Sequence, residues 1–151
     1  MTCKHTIGTT IAFTVIATIM FLVVAIFYFV FFETPYLKYT NLPLPVLGSN
    51  IHPGDVIPIH VARCNSDKVA HVYTLSRTLE KVANNGNARE YVLMRDLKIR
   101  VEPGCSEADS LVHIAPPETP KGQWVLIGTA DIQGRLVHHT VEWYSVPFEI
   151  K

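Results

Sequence analysis

Blocks of like charge are missing from this sequence: 13 basic and 13 acidic residues cancel over 151 positions, and neither sign forms a run. A chain without an electropositive stripe has no electrostatic footprint for nucleic acid or for an anionic membrane surface, so nucleic-acid binding is set aside. No Gly-x-Ser-x-Gly phrase occurs, and no glycine-rich loop leads into a helix, which removes the common hydrolase elbow and phosphate cradle. The Asn-x-Ser/Thr acceptor is also missing, in keeping with a bacterial or viral origin. Cysteine is scarce, with only Cys3, Cys64 and Cys105.

Charge is absent too from one continuous stretch, Thr6–Phe32. About 27 residues rising 1.5 Å each extend roughly 40 Å, beyond the roughly 30 Å hydrocarbon layer of a bilayer. The stretch reads as a single transmembrane helix over 6–32, preceded by a short cytoplasmic segment 1–5. A cleavable signal core is shorter, roughly 7 to 15 apolar residues, and ends in small side chains. This run ends in Phe27-Tyr28-Phe29-Val30-Phe31-Phe32, so the helix is expected to stay as an uncleaved signal-anchor. Lys4 before it and Glu33 after it place the N-terminus in the cytoplasm and the remainder outside, with Lys38 working against that bias. Thr6, Thr10, Thr14 and Thr18 recur at i, i+4 with Gly8, Ala12 and Ala17 among them. Such a row either offers a contact surface to another membrane helix or bonds its hydroxyls back to the preceding turn.

Pro35, Pro43 and Pro45 forbid a continued helix, so 33–50 reads as a stiff juxtamembrane linker running into a first edge strand near 42–47. The remainder, 51–151, divides into short β-rich runs at 56–62, 69–79, 91–102, 111–115, 123–131, 136–143 and 146–150. Asn84-Asn85-Gly86-Asn87 is a hairpin signal, because Asn-Gly accepts the positive φ of a tight turn. Leu97, Ile99 and Val101 alternate with Lys98, Arg100 and Glu102, a period of two that buries one face. Pro103-Gly104 ends that run, Gln133-Gly134 turns the chain, and Pro147 marks an edge position or a bulge. Seven to eight short strands with almost no helix outside the membrane predict an all-β, antiparallel β-sandwich after the helix.

The closing portion, Pro120-Lys-Gly122-Gln-Trp124 followed by His139 to Ile150 with its Ser145-Val-Pro147-Phe148 phrase, resembles the last two strands of immunoglobulin-like or fibronectin-III-like modules in bacterial and phage envelope proteins. The likeness covers about 30 residues and implies an Ig-like sandwich. The antibody-type Cys…Trp…Cys arrangement is absent. Cys64 and Cys105, an even pair in a domain expected outside the cytoplasm, are either bridged or two unpaired thiols.

Candidate chemistry is thin. A membrane anchor before an all-β domain also describes sortase-like and signal-peptidase-like enzymes. Tyr73-Thr-Leu-Ser-Arg77-Thr78 lacks the sortase cysteine, and Ser49 lacks the Ser-Met-x-Pro setting of the peptidases. His52, His60, His71, His113, His138 and His139 form no His-x-His or Cys-x-His cluster, and adjacent His138 and His139 point to opposite faces of a strand. Glu107 and Asp109 read as a solvated turn beside Cys105, and Trp124 and Trp143 as core residues. The expectation is a non-enzyme without catalytic residues, metal or cofactor, whose partners are the lipid bilayer and a membrane or envelope protein. The competing expectation is a ligand- or metal-binding domain.

Overall fold

A computed structural model describes residues 3–82, 90–133 and 137–151, with side chains from residue 12 onward. The chain divides into two compact units, Met1–Thr34 with Gly134–Val137, and Pro35–Gln133 with His138–Lys151. In the first, helix α1 spans Cys3–Phe32. Its segment Ala12–Phe32 has a mean hydropathy of 2.9 and is long and apolar enough to cross a membrane. Bulky side chains cover all sides of its second half, as a helix surrounded by hydrocarbon requires. The Thr18 hydroxyl donates to the Thr14 carbonyl at 2.9 Å, the local back-bond of the threonine row. The side chains of Thr6 and Thr10 lie outside the described residues.

The second unit is built from eight strands in two antiparallel sheets: β1 (Leu37–Tyr39), β2 (Ile59–Asn65), β3 (His71–Lys81), β4 (Tyr91–Val101), β5 (Gly104–Ser110), β6 (Gly122–Gln133), β7 (His138–Tyr144) and β8 (Phe148–Ile150). One sheet has the order β1-β2-β5; the other has β4-β3-β6-β7, with β8 pairing the start of β6. Inward residues of both sheets, including Leu37, Ile59, Leu75, Leu79, Trp124, Leu126 and Ile132, share one apolar core. Strand alternation explains the selection: Tyr73, Leu75, Arg77 and Leu79 of β3 are buried, whereas Val72, Thr74 and Ser76 between them are exposed.

Several elements depart from the sequence expectation. The first ladder forms at Leu37–Tyr39, within the segment that the prolines assign to a linker, because Leu37 and Tyr39 alternate with Lys38 and can bury one face. The stretch 42–47 contributes only single bridges, Leu44 to Ser145 and Val46 to Ile59. Its prolines lack the N–H that a ladder needs. The strand expected at 111–115 is instead β5, which takes Gly104–Ser110, the residues read as a turn; Ile114 makes one bridge to Val56. Gly-Cys-Ser-Glu-Ala-Asp-Ser has neither an apolar period nor β-branched residues, and its pairing to the whole length of β2 makes it a strand. Gly104, at φ 92°, supplies the left-handed corner by which the chain leaves β4 for the other sheet. The Asn84–Asn87 turn lies outside the described residues, although β3 and β4 pair antiparallel on either side of it. Residues 134–136 of the turn before β7 lie outside them as well. Pro147 does fall at an edge, in the break between β7 and β8, where Ser145 Oγ accepts the Leu126 N–H at 3.0 Å and Leu126 O accepts the Ser145 N–H at 2.9 Å.

Candidate functional site

The inward positions of β5 are small: Ser106, Ala108 and Ser110 lie opposite Arg63, Val61 and Ile59 of β2. Small side chains at one edge of a two-sheet core leave space that their neighbours cannot fill. The result is a cleft of about 300 Å³ between the edges of β5 and β4, walled by Leu75, Leu97, Ile99 and Trp143 and reaching His113, Tyr39 and Arg63. That volume is at the low end for small-molecule pockets, roughly 300 to 1,000 Å³.

Behind the cleft wall lies a polar pair that the hydrophobic pattern does not announce. Arg77 occupies an inward position of β3 and is only 7% exposed; His113 is 3% exposed. The guanidinium donates through Nη1 to the Val112 carbonyl at 3.0 Å and to His113 Nδ1 at 3.2 Å, and through Nη2 to the Arg95 carbonyl. That last acceptor exists because β4 carries a bulge. Leu75 faces Leu97 and Arg77 faces Met94, so Arg95 and Asp96 together oppose Ser76. Burial lowers the pKa of Arg77, against the opposing field of Asp96. Since Nδ1 of His113 accepts from a cation, the proton of the neutral ring resides on Nε2. Burial, and secondarily the Arg77 charge, lowers the His113 pKa to about 4.

This depression carries a stability consequence. The unfolded chain binds the histidine proton below about pH 6.5 while the fold refuses it until about pH 4, so stability falls as pH drops through that window. The full effect is about 3 kcal/mol, since each tenfold loss of proton affinity on folding corresponds to roughly 1.4 kcal/mol. Urea unfolding at pH 7 and at pH 4.5 checks it: His113→Gln should lose less stability between the two pH values than the parent.

Two further polar groups border the space. The Trp143 ring, 1% exposed, stands edge-on to His113 at 5.5 Å and has a buried indole N–H without a hydrogen-bond partner among the described residues. Tyr39, 6.0 Å from Trp143 between ring centres, has its phenol pushed up to about 12 by burial, against the pull of Arg63.

The sequence candidates fall as follows. Cys64 and Cys105, facing each other across β2 and β5, form a disulfide. Glu107 and Asp109 lie on β5; Asp109 pairs across the strands with His60 at 2.8 Å. His52 pairs with Asp55 at 3.2 Å and His71 with Asp67 at 2.7 Å. Among the described residues, no three His, Cys, Asp or Glu side chains converge as a metal site would require. Trp124 and Trp143 are both in the core. The cleft, its arginine and the Arg77–His113 pair escaped the sequence reading. The one available signal was parity, since Arg63 shares its face of β2 with Ile59 and Val61.

A second surface faces outward from the five-stranded sheet. Leu93, Thr78, Ile127 and Tyr144 lie opposite one another in a row across β4, β3, β6 and β7. Tyr91, Glu80 and Val125 form the next row. Leu93 is 71% exposed, Tyr91 64% and Tyr144 50%. A groove of about 490 Å³ runs beside them, bounded by Glu80, Lys81, Val125 and Glu142.

No protein-family model and no curated protein matches the chain. Solved structures that align with part of it include the sporulation control protein Spo0M of Bacillus subtilis, at 15% identity over 78% of this chain and 49% of that one, with a TM-score of 0.40. A β-glucosidase of Erythrobacter marinus matches at 13% identity over 74% of this chain and 16% of its own, TM-score 0.41. The alkylpurine DNA glycosylase AlkC of Pseudomonas fluorescens, bound to DNA containing an abasic site analogue, matches at 16% identity over 72% and 30%, TM-score 0.39. The chain thus spans about half the length of Spo0M. Likenesses of this degree transfer no activity to it.

Proposed function

We propose that this chain is a single-pass, membrane-anchored Ig-like module that makes protein contacts outside the cytoplasm, as an accessory or assembly subunit of an envelope or phage-encoded membrane system. The Ig-like part of the reading is supported by connectivity. Immunoglobulin constant domains arrange their strands as 1-2-5-4 and 3-6-7. Here the orders are 1-2-5 and 4-3-6-7, the same path with the fourth strand moved to the other sheet. The pairing of Cys64 with Cys105 within one sheet differs from the antibody disulfide between sheets. The outside location rests on Lys4, which precedes the uncharged stretch Thr6–Phe32, and on that disulfide, which persists in an oxidising compartment.

The observation that carries the contact reading is the exposed row on the five-stranded sheet. Apolar side chains clustered around Thr78 and Glu80 and bordered by Lys81 and Glu142 have the composition of an interaction surface, whereas single exposed apolar residues are ordinary. Partner capture tests it with the full chain in native membranes, using a photo-crosslinking side chain at Leu93 or Tyr144. Both positions should join a second protein, and Leu93→Lys with Tyr144→Lys should release it without lowering the melting temperature. Recovery of the uncrosslinked chain alone, as a monomer, overturns the reading.

A further inference from the structure

Arg63 is the feature of the cleft that its packing leaves unexplained. It shares the inward face of β2 with Ile59 and Val61, between Tyr39 on β1 and Ser106 on β5, so one row across three strands carries a phenol, a guanidinium and a hydroxyl. A half-buried cation is ordinarily matched by a carboxylate. Among the described residues Arg63 has none: its side-chain partner is the neutral Tyr39 phenol, which leaves the charge itself unmatched. The other charges at the cleft are engaged: Arg100 with Glu102 at 2.6 Å and Asp109 with His60 at 2.8 Å. The nearby Trp143 closes the space with its ring, while its indole Nε1 is buried over Gly128. The Arg63 guanidinium is therefore the charge at the space that no opposite charge matches; Leu75, Leu97 and Ile99 give it an apolar wall, and Ser106, Asp109 and Ser110 a polar one.

We propose that the cleft between β4 and β5 binds a small monocarboxylate with a short aliphatic or aromatic body, the carboxylate on Arg63 and the body against Leu75, Leu97, Ile99 and Trp143. One unmatched positive charge fits one negative charge. A guanidinium presents two parallel N–H groups to a carboxylate, which gives direction as well as attraction. The volume of about 300 Å³ restricts the body to a few carbons or one ring. The inference stands apart from the protein-contact reading, since the outer row lies on the opposite face of the sheet.

The test uses the full chain in lipid nanodiscs, with empty nanodiscs subtracted. 4-Fluorophenylacetate and the neutral 2-(4-fluorophenyl)ethanol are titrated by ¹⁹F NMR, and hexanoate competes. The acid should bind saturably at one site and hexanoate should displace it. The alcohol should bind about tenfold or more weakly, the smallest difference expected when one charge-assisted pair is lost. Arg63→Met, which keeps the aliphatic stem, should abolish the preference for acid over alcohol. Ala108→Leu, which fills the cleft from the β5 side and leaves Arg63 in place, should abolish binding of both. Acid and alcohol binding with equal affinity, acid binding unchanged in either variant, or no saturable binding of the acid at millimolar concentration overturns the proposal. Loss of acid binding in Ala108→Leu with the parental melting temperature retained supports it even where Arg63→Met fails to fold.

Discussion

Replacing Gly128 with alanine should destabilise the β unit more than most single methyl additions to a core. Gly128 faces Trp143 across β6 and β7, and the indole lies over it so closely that a Cβ would stand 2.2 Å from Cε2, 2.3 Å from Cζ2 and 2.5 Å from Nε1. Carbon atoms meet at about 3.5 to 4.0 Å, so the ring or a strand has to move. Trp143 has nowhere to go at low cost, because it is held between Tyr39 and His113 in the core. Overpacking of this kind costs roughly 1 to 3 kcal/mol where neighbours yield. A displaced, fully buried tryptophan raises the expected loss to about 4 kcal/mol, the range of Trp truncations. The melting temperature should fall by on the order of 10 to 20 °C. Trp143→Leu in the same chain checks the cause: the double variant should lose much less than the two single losses added together.

Removing the disulfide should have an effect of similar size by a different route. Cys64 and Cys105 are 41 positions apart, and opening a loop of that length in the unfolded chain lowers stability by about 4 kcal/mol in the chain-entropy model. Replacing both with serine should move the urea midpoint down and raise the slope of the transition, because the unfolded chain without its cross-link exposes more surface. The local effect should concentrate on β5. This strand is almost wholly exposed and, among the described residues, pairs only with β2, so little else restrains it. Amide exchange should rise first at Gly104–Ser110 in the double variant, ahead of the core strands β3 and β6. Equal exchange rates in β5 with and without the bridge would show that the backbone ladder alone fixes this edge.

Periodicity made the helix and the long strands legible. An uncharged run longer than a bilayer is thick and an alternation such as Leu97-Lys98-Ile99-Arg100-Val101 each report a backbone geometry directly, because burial repeats with the geometry. Where burial does not repeat, the reading failed. β5 takes its conformation from β2, and nothing inside Gly-Cys-Ser-Glu-Ala-Asp-Ser encodes that partner. The same holds for the first strand: the prolines near Leu44 were visible, but the pairing of Leu37 with Asn65 is a fact of topology. Arg77 and His113 lie 36 positions apart, and the Arg95 carbonyl that Arg77 also reaches is presented by a bulge that no local residue announces. The cleft is less legible still, since it is made by what Ser106 and Ala108 leave unfilled. Arg63 was visible only as one cation among 13 basic residues until β1 and β5 were placed on either side of it.

The edge strand β5 also bears on how copies of the chain behave beside one another. An exposed edge offers unpaired N–H and C=O groups to any strand that approaches it. On this edge Glu107 and Asp109 stand two residues apart on one face. A second copy docking antiparallel along β5 would set acid against acid across the new ladder, where like charges repel. Gly104 and Pro103 shorten the run at one end, and Pro116 and Pro117 follow Leu111–Ala115 at the other. Copies of the chain brought side by side therefore meet a built-in resistance to zippering in the acidic spacing of β5.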